Sequence, residues 1–111
     1  MDRIAIVSAV RTAVGAFGGT LRDFEAQDLA ARVIKEALRR VELEPSQVDE
    51  VILGHVLVNG ESHNVARQAV LVADFPIEIP AYTLDRQCGS GLQAIINAAL
   101  QIMTGNSRIV V

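Results

Sequence analysis

The chain holds 111 residues, half of them hydrophobic, with 10 Lys and Arg against 13 Asp and Glu and a formal net charge of -3. That length suits one compact domain rather than two, and the mild acidity argues against a sequence-independent nucleic-acid binder, which needs a basic face. A single cysteine rules out an intrachain disulfide and any multi-cysteine metal site; with no apolar stretch long enough to span a bilayer and a start too brief and acidic for a signal peptide, the chain reads as soluble and intracellular.

Residues 4–10, Ile-Ala-Ile-Val-Ser-Ala-Val, form a nearly continuous apolar run rich in β-branched side chains. That pattern predicts a strand covered on both faces. Residues 11–23 follow as a Gly-rich loop, whose Gly15, Gly18 and Gly19 match neither the dinucleotide fingerprint nor the P-loop. The loop is read as structural, and its Arg11 as a hydrogen-bonding hub before an anion ligand. Residues 27–41 predict an amphipathic helix with Leu29, Val33, Ile34, Ala37, Leu38 and Val41 as its apolar stripe. Asp28 near its start and Arg39 and Arg40 near its end suit the helix dipole. The basic pair is read as a solvated helix end, with phosphate binding as the alternative. Pro45 stops any continuation and opens a short helical turn.

Residues 51–58 predict a second buried strand in which Gly54 allows close packing or a bulge. Asn59-Gly60 is a turn signal, and residues 65–73 read as a helix with Val65, Ala69, Val70 and Ala73 on one face. Pro76 and Pro80 bracket a connector to a short strand at residues 81–84. A helix then runs to about Thr104 with Leu92, Ile95, Ile96, Ala99, Leu100 and Met103 at helical spacing. Gly105 closes it as a C-cap, and residues 108–111 begin another strand. The order β-α-β-α-β-α-β, without internal repeat, argues an α/β fold with a mainly parallel sheet.

Between the strand at 81–84 and the following helix stands Cys88. A thiol at or just before a first helical turn meets unpaired backbone N–H groups and the positive end of the helix dipole, which favour a thiolate. Gly89 and Gly91 leave room for a substrate to approach the sulfur. These features describe a candidate nucleophile; a small buried hydrophobe is the other reading of a lone cysteine. His63, near a helix start, invites a Cys–His pairing with Cys88, while His55 on a strand reads as structural.

Three blocks resemble one known family. Asp85-Arg86-Gln87-Cys88-Gly89-Ser90-Gly91-Leu92-Gln93-Ala94 resembles the nucleophile motif of the thiolases. Residues 10–21 are similar to the Arg-Thr-x-x-Gly-x-Phe-Gly-Gly-x-Leu opening of that family, and Asn64-Val65-Ala66-Arg67-Gln68 to its Asn-x-Ala-Arg-Gln segment. Asp85 stands where the family usually has Asn, and Gly89 where Ser or Ala is frequent.

The resemblance implies the first part of the N-terminal half of a five-layer thiolase fold, so that residues 1–111 are a partial N-terminal domain without the loop domain or the C-terminal half. It implies an acyl-CoA acyltransferase, condensing acetyl-CoA to acetoacetyl-CoA or cleaving 3-ketoacyl-CoA through an acylated Cys88. Coenzyme A thioesters would be substrates, with no cofactor or metal and no nucleic-acid or membrane partner. The family's acid/base residues, a histidine and a second cysteine, match nothing here, so neither His55 nor His63 is assigned, and the isolated chain is expected to be inactive and weakly folded. A homodimer or homotetramer in the cytoplasm is expected, with mitochondrial or peroxisomal residence left open. Competing readings are a ketosynthase-like condensing enzyme, a non-catalytic interaction module and a redox-sensing cysteine protein.

Overall fold

The structure is a computed structural model and describes residues 3–58, 60 and 62–111. Helix α1 spans Ala26–Arg40, strand β1 Val51–Gly54, helix α2 Val65–Val72, strand β2 Ala81–Leu84 and helix α3 Ser90–Met103, with a 3₁₀ turn at Pro45–Gln47. The predicted turn at Asn59-Gly60 lies partly outside the described residues, since Asn59 is not among them.

β1 and β2 pair in parallel, Val51 opposite Ala81 and Gly54 opposite Leu84. The last residues add to the other edge of β1. Val110 bridges Glu50 in parallel, Ile52 N–H donates to Val111 O at 2.8 Å, and Val111 N–H donates to Glu50 O at 3.1 Å. The Asp49 carboxylate fixes this edge by accepting from the N–H groups of both Arg108 and Ile109, at 2.7 and 2.9 Å. The expected parallel α/β sheet is therefore present, and α2 supplies the crossover between its two named strands.

One predicted element is absent. Residues 4–10 form no strand, and Ile6 and Val7 are exposed. An apolar, β-branched run has the composition of a strand, but a strand exists only when a neighbour takes up its N–H and C=O groups. Among the described residues nothing pairs with this run. The strand predicted over 51–58 is also shorter, because after Gly54 only His55 N–H still reaches the neighbouring strand, at Leu84 O.

Strand alternation sorts the side chains into two layers. On one side Val51 and Leu53 meet Ala31, Ile34, Leu38, Ala66, Ala69 and Val70 from α1 and α2, closed below by Phe75 and Ile79. The α1 stripe is thus centred on Ala31, Ile34 and Leu38, its three buried residues. On the other side Ile52 is buried outside that cluster, and Gly54 lies against the first turn of α3. α3 buries only Ser90 and Ala94, leaving Leu92, Ile95, Ile96, Leu100 and Met103 exposed. Its C-terminus closes as predicted: Gly105 takes φ +76 and Asn106 N–H donates back to Gln101 O at 3.0 Å.

Candidate active site

β2 delivers the chain into residues 85–89, and these turn it sharply into α3. The turn is held from inside. Asp85 Oδ1 accepts from Gln87 N–H at 2.8 Å, Gly89 N–H donates to Arg86 O at 3.1 Å, and Ser90 N–H donates to Gln87 O at 3.0 Å. An aspartate therefore does at position 85 what the carbonyl of an asparagine would do, accepting from a backbone amide two residues on. Gln87 sits in the left-handed region at φ +50, a conformation disfavoured for a residue with a side chain. Cys88 follows directly, one residue before the helix N-cap Gly89, and it is exposed with a free thiol. The sequence placed it at the start of this helix, and there it stands. Within these 111 residues it lies at the surface and not in the core.

Two sets of polar ties fix this turn on the scaffold. The first grips β2 from α2. Asn64 caps α2, its Oδ1 accepting from Arg67 N–H at 3.1 Å and from the Thr83 hydroxyl at 2.8 Å. Asn64 Nδ2 donates to Ala81 O, Arg67 Nη1 donates to Ile79 O, and Thr83 Oγ1 accepts from Ala66 N–H. The Asn and Arg of the Asn64-to-Gln68 block thus act together, as a clamp on the strand that carries the cysteine. The second set runs along α3. The Arg86 guanidinium donates to Gln93 Oε1, Gln93 Nε2 donates to Asn97 Oδ1 at 2.8 Å, and Asn97 Nδ2 donates to the Tyr82 hydroxyl at 3.0 Å.

Gly54 sets how closely α3 approaches. A Cβ built on it would lie 2.5 Å from Ser90 C and 2.6 Å from Gly91 N. Only a residue without a side chain lets the end of β1 touch the helix start at this distance. The sequence offered close packing or a bulge at Gly54; the structure shows the close packing, against the Ser90 and Gly91 backbone.

The remaining candidates make no hydrogen bond to the cysteine among the described residues. His55 is half-buried beyond β1, and His63 is exposed ahead of α2. Arg39 and Arg40 both bond the Glu36 carboxylate, at 2.7 and 2.8 Å, and hold its pKa down at about 2. That pair is a helix-end ion cluster rather than a waiting phosphate site. An open cavity of about 510 Å³ lies on α1 between Phe24, Asp28, Arg32 and Val72, with Arg32 stacked 4.9 Å over the Phe24 ring. A smaller one, about 340 Å³, lies between Ala9, Val10, Arg11 and Arg40. Neither is lined by Cys88. Among the described residues no group of three or more His, Cys, Asp or Glu is placed to hold a metal ion, and no helix is long and apolar enough to cross a membrane.

The chain as a whole has counterparts among known proteins. The sequence model described as "Thiolase, N-terminal domain" matches residues 4–111, and the chain belongs to the thiolase family. It is 51% identical over 111 residues to an acetyl-CoA acetyltransferase of Cupriavidus necator, covering all of this chain and 28% of that protein. It is 46% identical over 110 residues to the cytosolic acetyl-CoA acetyltransferase of Rattus norvegicus, covering 99% of this chain and again 28% of the relative. The crystal structure of the Bacillus anthracis acetyl-CoA acetyltransferase superposes with a TM-score of 0.91 at 48% identity, over 95% of this chain and 27% of that one. The chain thus spans little more than a quarter of the length of these relatives.

Proposed function

We propose that Cys88 is the acyl-accepting nucleophile of a thiolase-type acyl-CoA acyltransferase, of which residues 1–111 form part of the N-terminal domain. The observation that carries this reading is the exposed thiol on the strand-to-helix turn, inside a family match that extends over almost the whole chain. The Cys88 thiolate attacks the carbonyl carbon of an acyl-CoA thioester. The tetrahedral intermediate collapses with expulsion of coenzyme A thiolate and leaves the acyl group on the sulfur. In the synthetic direction the carbanion of a second acetyl-CoA attacks that acyl group and regenerates the thiolate; thiolysis of a 3-ketoacyl-CoA is the reverse. One thiolate leaves as another attacks, so thioester exchange is nearly balanced and ping-pong kinetics follow. The Cys88 N–H, at the helix start, is suited to the developing oxyanion.

The proton transfers require groups beyond this chain, so the 111 residues alone are inactive in this reading. The active protein is a homo-oligomer of two or four subunits and, like the relative named cytosolic, works in the cytoplasm. No metal or organic cofactor enters the reaction. Incubating the protein with acetyl-CoA and mapping the modified peptide by mass spectrometry tests the proposal. An acetyl increment on Cys88, abolished in Cys88→Ser without loss of the far-ultraviolet circular dichroism, is expected. Normal acyl transfer by Cys88→Ser would show the nucleophile to be elsewhere.

A further inference from the structure

Ser90 is one of two buried polar residues among the described ones, 4% exposed at the first position of α3. Its hydroxyl is spent entirely on the turn before it. Ser90 Oγ accepts from Arg86 N–H at 2.8 Å and donates to Gln87 O at 2.6 Å. These groups belong to the Asp85–Arg86 and Gln87–Cys88 peptides, which bracket the single left-handed residue of the turn, Gln87. The hydroxyl therefore ties the chain before and after the strained position to the helix start. Ser90 is itself seated, because Gly54 presses on its backbone from β1. Arg86 is held a second time through its side chain on Gln93. Cys88, between these ties, contributes no hydrogen bond of its own through its sulfur among the described residues.

A non-glycine residue stays in this disfavoured backbone region only where its surroundings over-determine it. Here the surroundings are the Asp85 carboxylate on one side and the Ser90 hydroxyl on the other. If either is removed, the turn has a reason to relax, and relaxation rotates the peptide that leads into Cys88.

We infer that Ser90 is a positioning residue for Cys88: its buried hydroxyl holds Gln87 left-handed and so fixes where the thiol points. The inference rests on Cys88 being the nucleophile, and it assigns Ser90 no contact with substrate. Its role is separable from a general contribution to folding, because glycine adopts the left-handed conformation without strain. Loss of the hydroxyl is therefore compensated by Gln87→Gly if Ser90 acts through the turn, and not if it acts through packing or the helix.

The test uses the protein as expressed from its gene, with acetyl-CoA as acyl donor. Ser90→Ala is expected to lower kcat roughly ten- to a hundred-fold with KM nearly unchanged. Adding Gln87→Gly to Ser90→Ala restores most of that loss. Should Ser90→Ala fail to fold, Ser90→Cys, similar in size but a weak hydrogen-bonding group, carries the same comparison. Amide hydrogen exchange is the second readout and does not depend on catalysis: Ser90→Ala speeds exchange at Arg86, whose N–H loses its acceptor, while α2 and β1 keep their protection. Unchanged kcat in Ser90→Ala overturns the inference, as does a loss that Gln87→Gly leaves uncorrected. If the parent protein never acylates Cys88, the proposed function fails, and the exchange experiment alone decides for or against Ser90 as the tie on this turn. Faster exchange confined to residues 86–89 supports it; no change, or loss of protection spreading into α2 and β1, overturns it.

Discussion

Within these 111 residues the two faces of the sheet are packed differently. Toward α1 and α2, Ile34, Val51 and Val70 are fully or almost fully buried and the layer is closed by apolar packing. Toward α3 the buried contact narrows to Ile52, Ala94 and the Gly54–Ser90 touch, while Leu92 is 66% exposed and Ile95 54%. The first face holds the apolar core. The second is located by hydrogen bonds, from Arg86 through Gln93 and Asn97 to Tyr82 and from Ser90 into the turn. Within these 111 residues apolar packing is thus concentrated on one side of the sheet, while the polar ties that place the thiol come from α2 as well as α3, and substitutions in the packing and in the ties have different signatures.

The sharpest way to break this comparison is a pair of truncations. Ile34→Ala, at a site 2% exposed, is expected to cost about 2–5 kcal/mol, whereas Ile95→Ala costs less than about 0.5 kcal/mol. Urea denaturation of both variants of the 111-residue chain measures the difference, and equal costs would mean that its α3 face is as well packed as the other.

A second pair sets one glycine against another. Gly54→Ala drives a Cβ into the Ser90 backbone and is expected to destabilise by about 1–3 kcal/mol, since backbone rather than a flexible side chain has to move. Gly91→Ala, in the same contact zone but with nothing within 4 Å of its built Cβ, gains about 0.5–1 kcal/mol from helix propensity. Denaturation midpoints moving the same way in both would remove the close seat as the explanation.

The smallest effect concerns the far edge of β1. The backbone N–H groups of Ile109 and Arg108 hold the Asp49 carboxyl below its ordinary value of 3.8. A carboxyl depressed in the folded state stabilises it above the unfolded pKa and loses that contribution as pH falls through the lowered folded value. Amide protection at residues 109–111 is therefore expected to weaken on acidification below the ordinary carboxylate range, and to be weak and insensitive to pH there in Asp49→Ala. Protection in the parent that did not change with pH would assign the docking to the strand pairing alone.

How much of this was legible in the sequence follows the range of each interaction. The helix after Cys88, its glycine C-cap and the exposed turn residues are local, and they stand where the pattern placed them. So does Gly54 as a close contact, and so do the three blocks that resemble thiolases. The clamp on β2 was not readable as a clamp: Thr83 meets Asn64 across 19 positions and Arg67 meets Ile79 across 12, and no periodicity encodes such pairs. Asp49 reaches partners 59 and 60 residues away. Ser90 was hidden for another reason. A serine among glycines reads as a spacer until its burial is known. The run at 4–10 failed in the opposite direction, since composition announces a strand but not the neighbour it requires.

The clamp has a consequence for chain length. Asn64 and Arg67 hold β2 by Ala81 O and Thr83, and the residues leading into it by Ile79 O, so the strand cannot slip by one residue without breaking these bonds. A slip would also turn Thr83 toward α3 and Tyr82 toward α2. With the strand pinned at one end and Ser90 wedged under Gly54 at the other, the count of residues between Thr83 and Ser90 is fixed even where their identities are free to vary. One residue more or fewer moves the chain by about 3.3 Å, more than a chemical bond's length, and breaks the pattern of bonds that Asp85, Arg86 and Gln87 make within the turn.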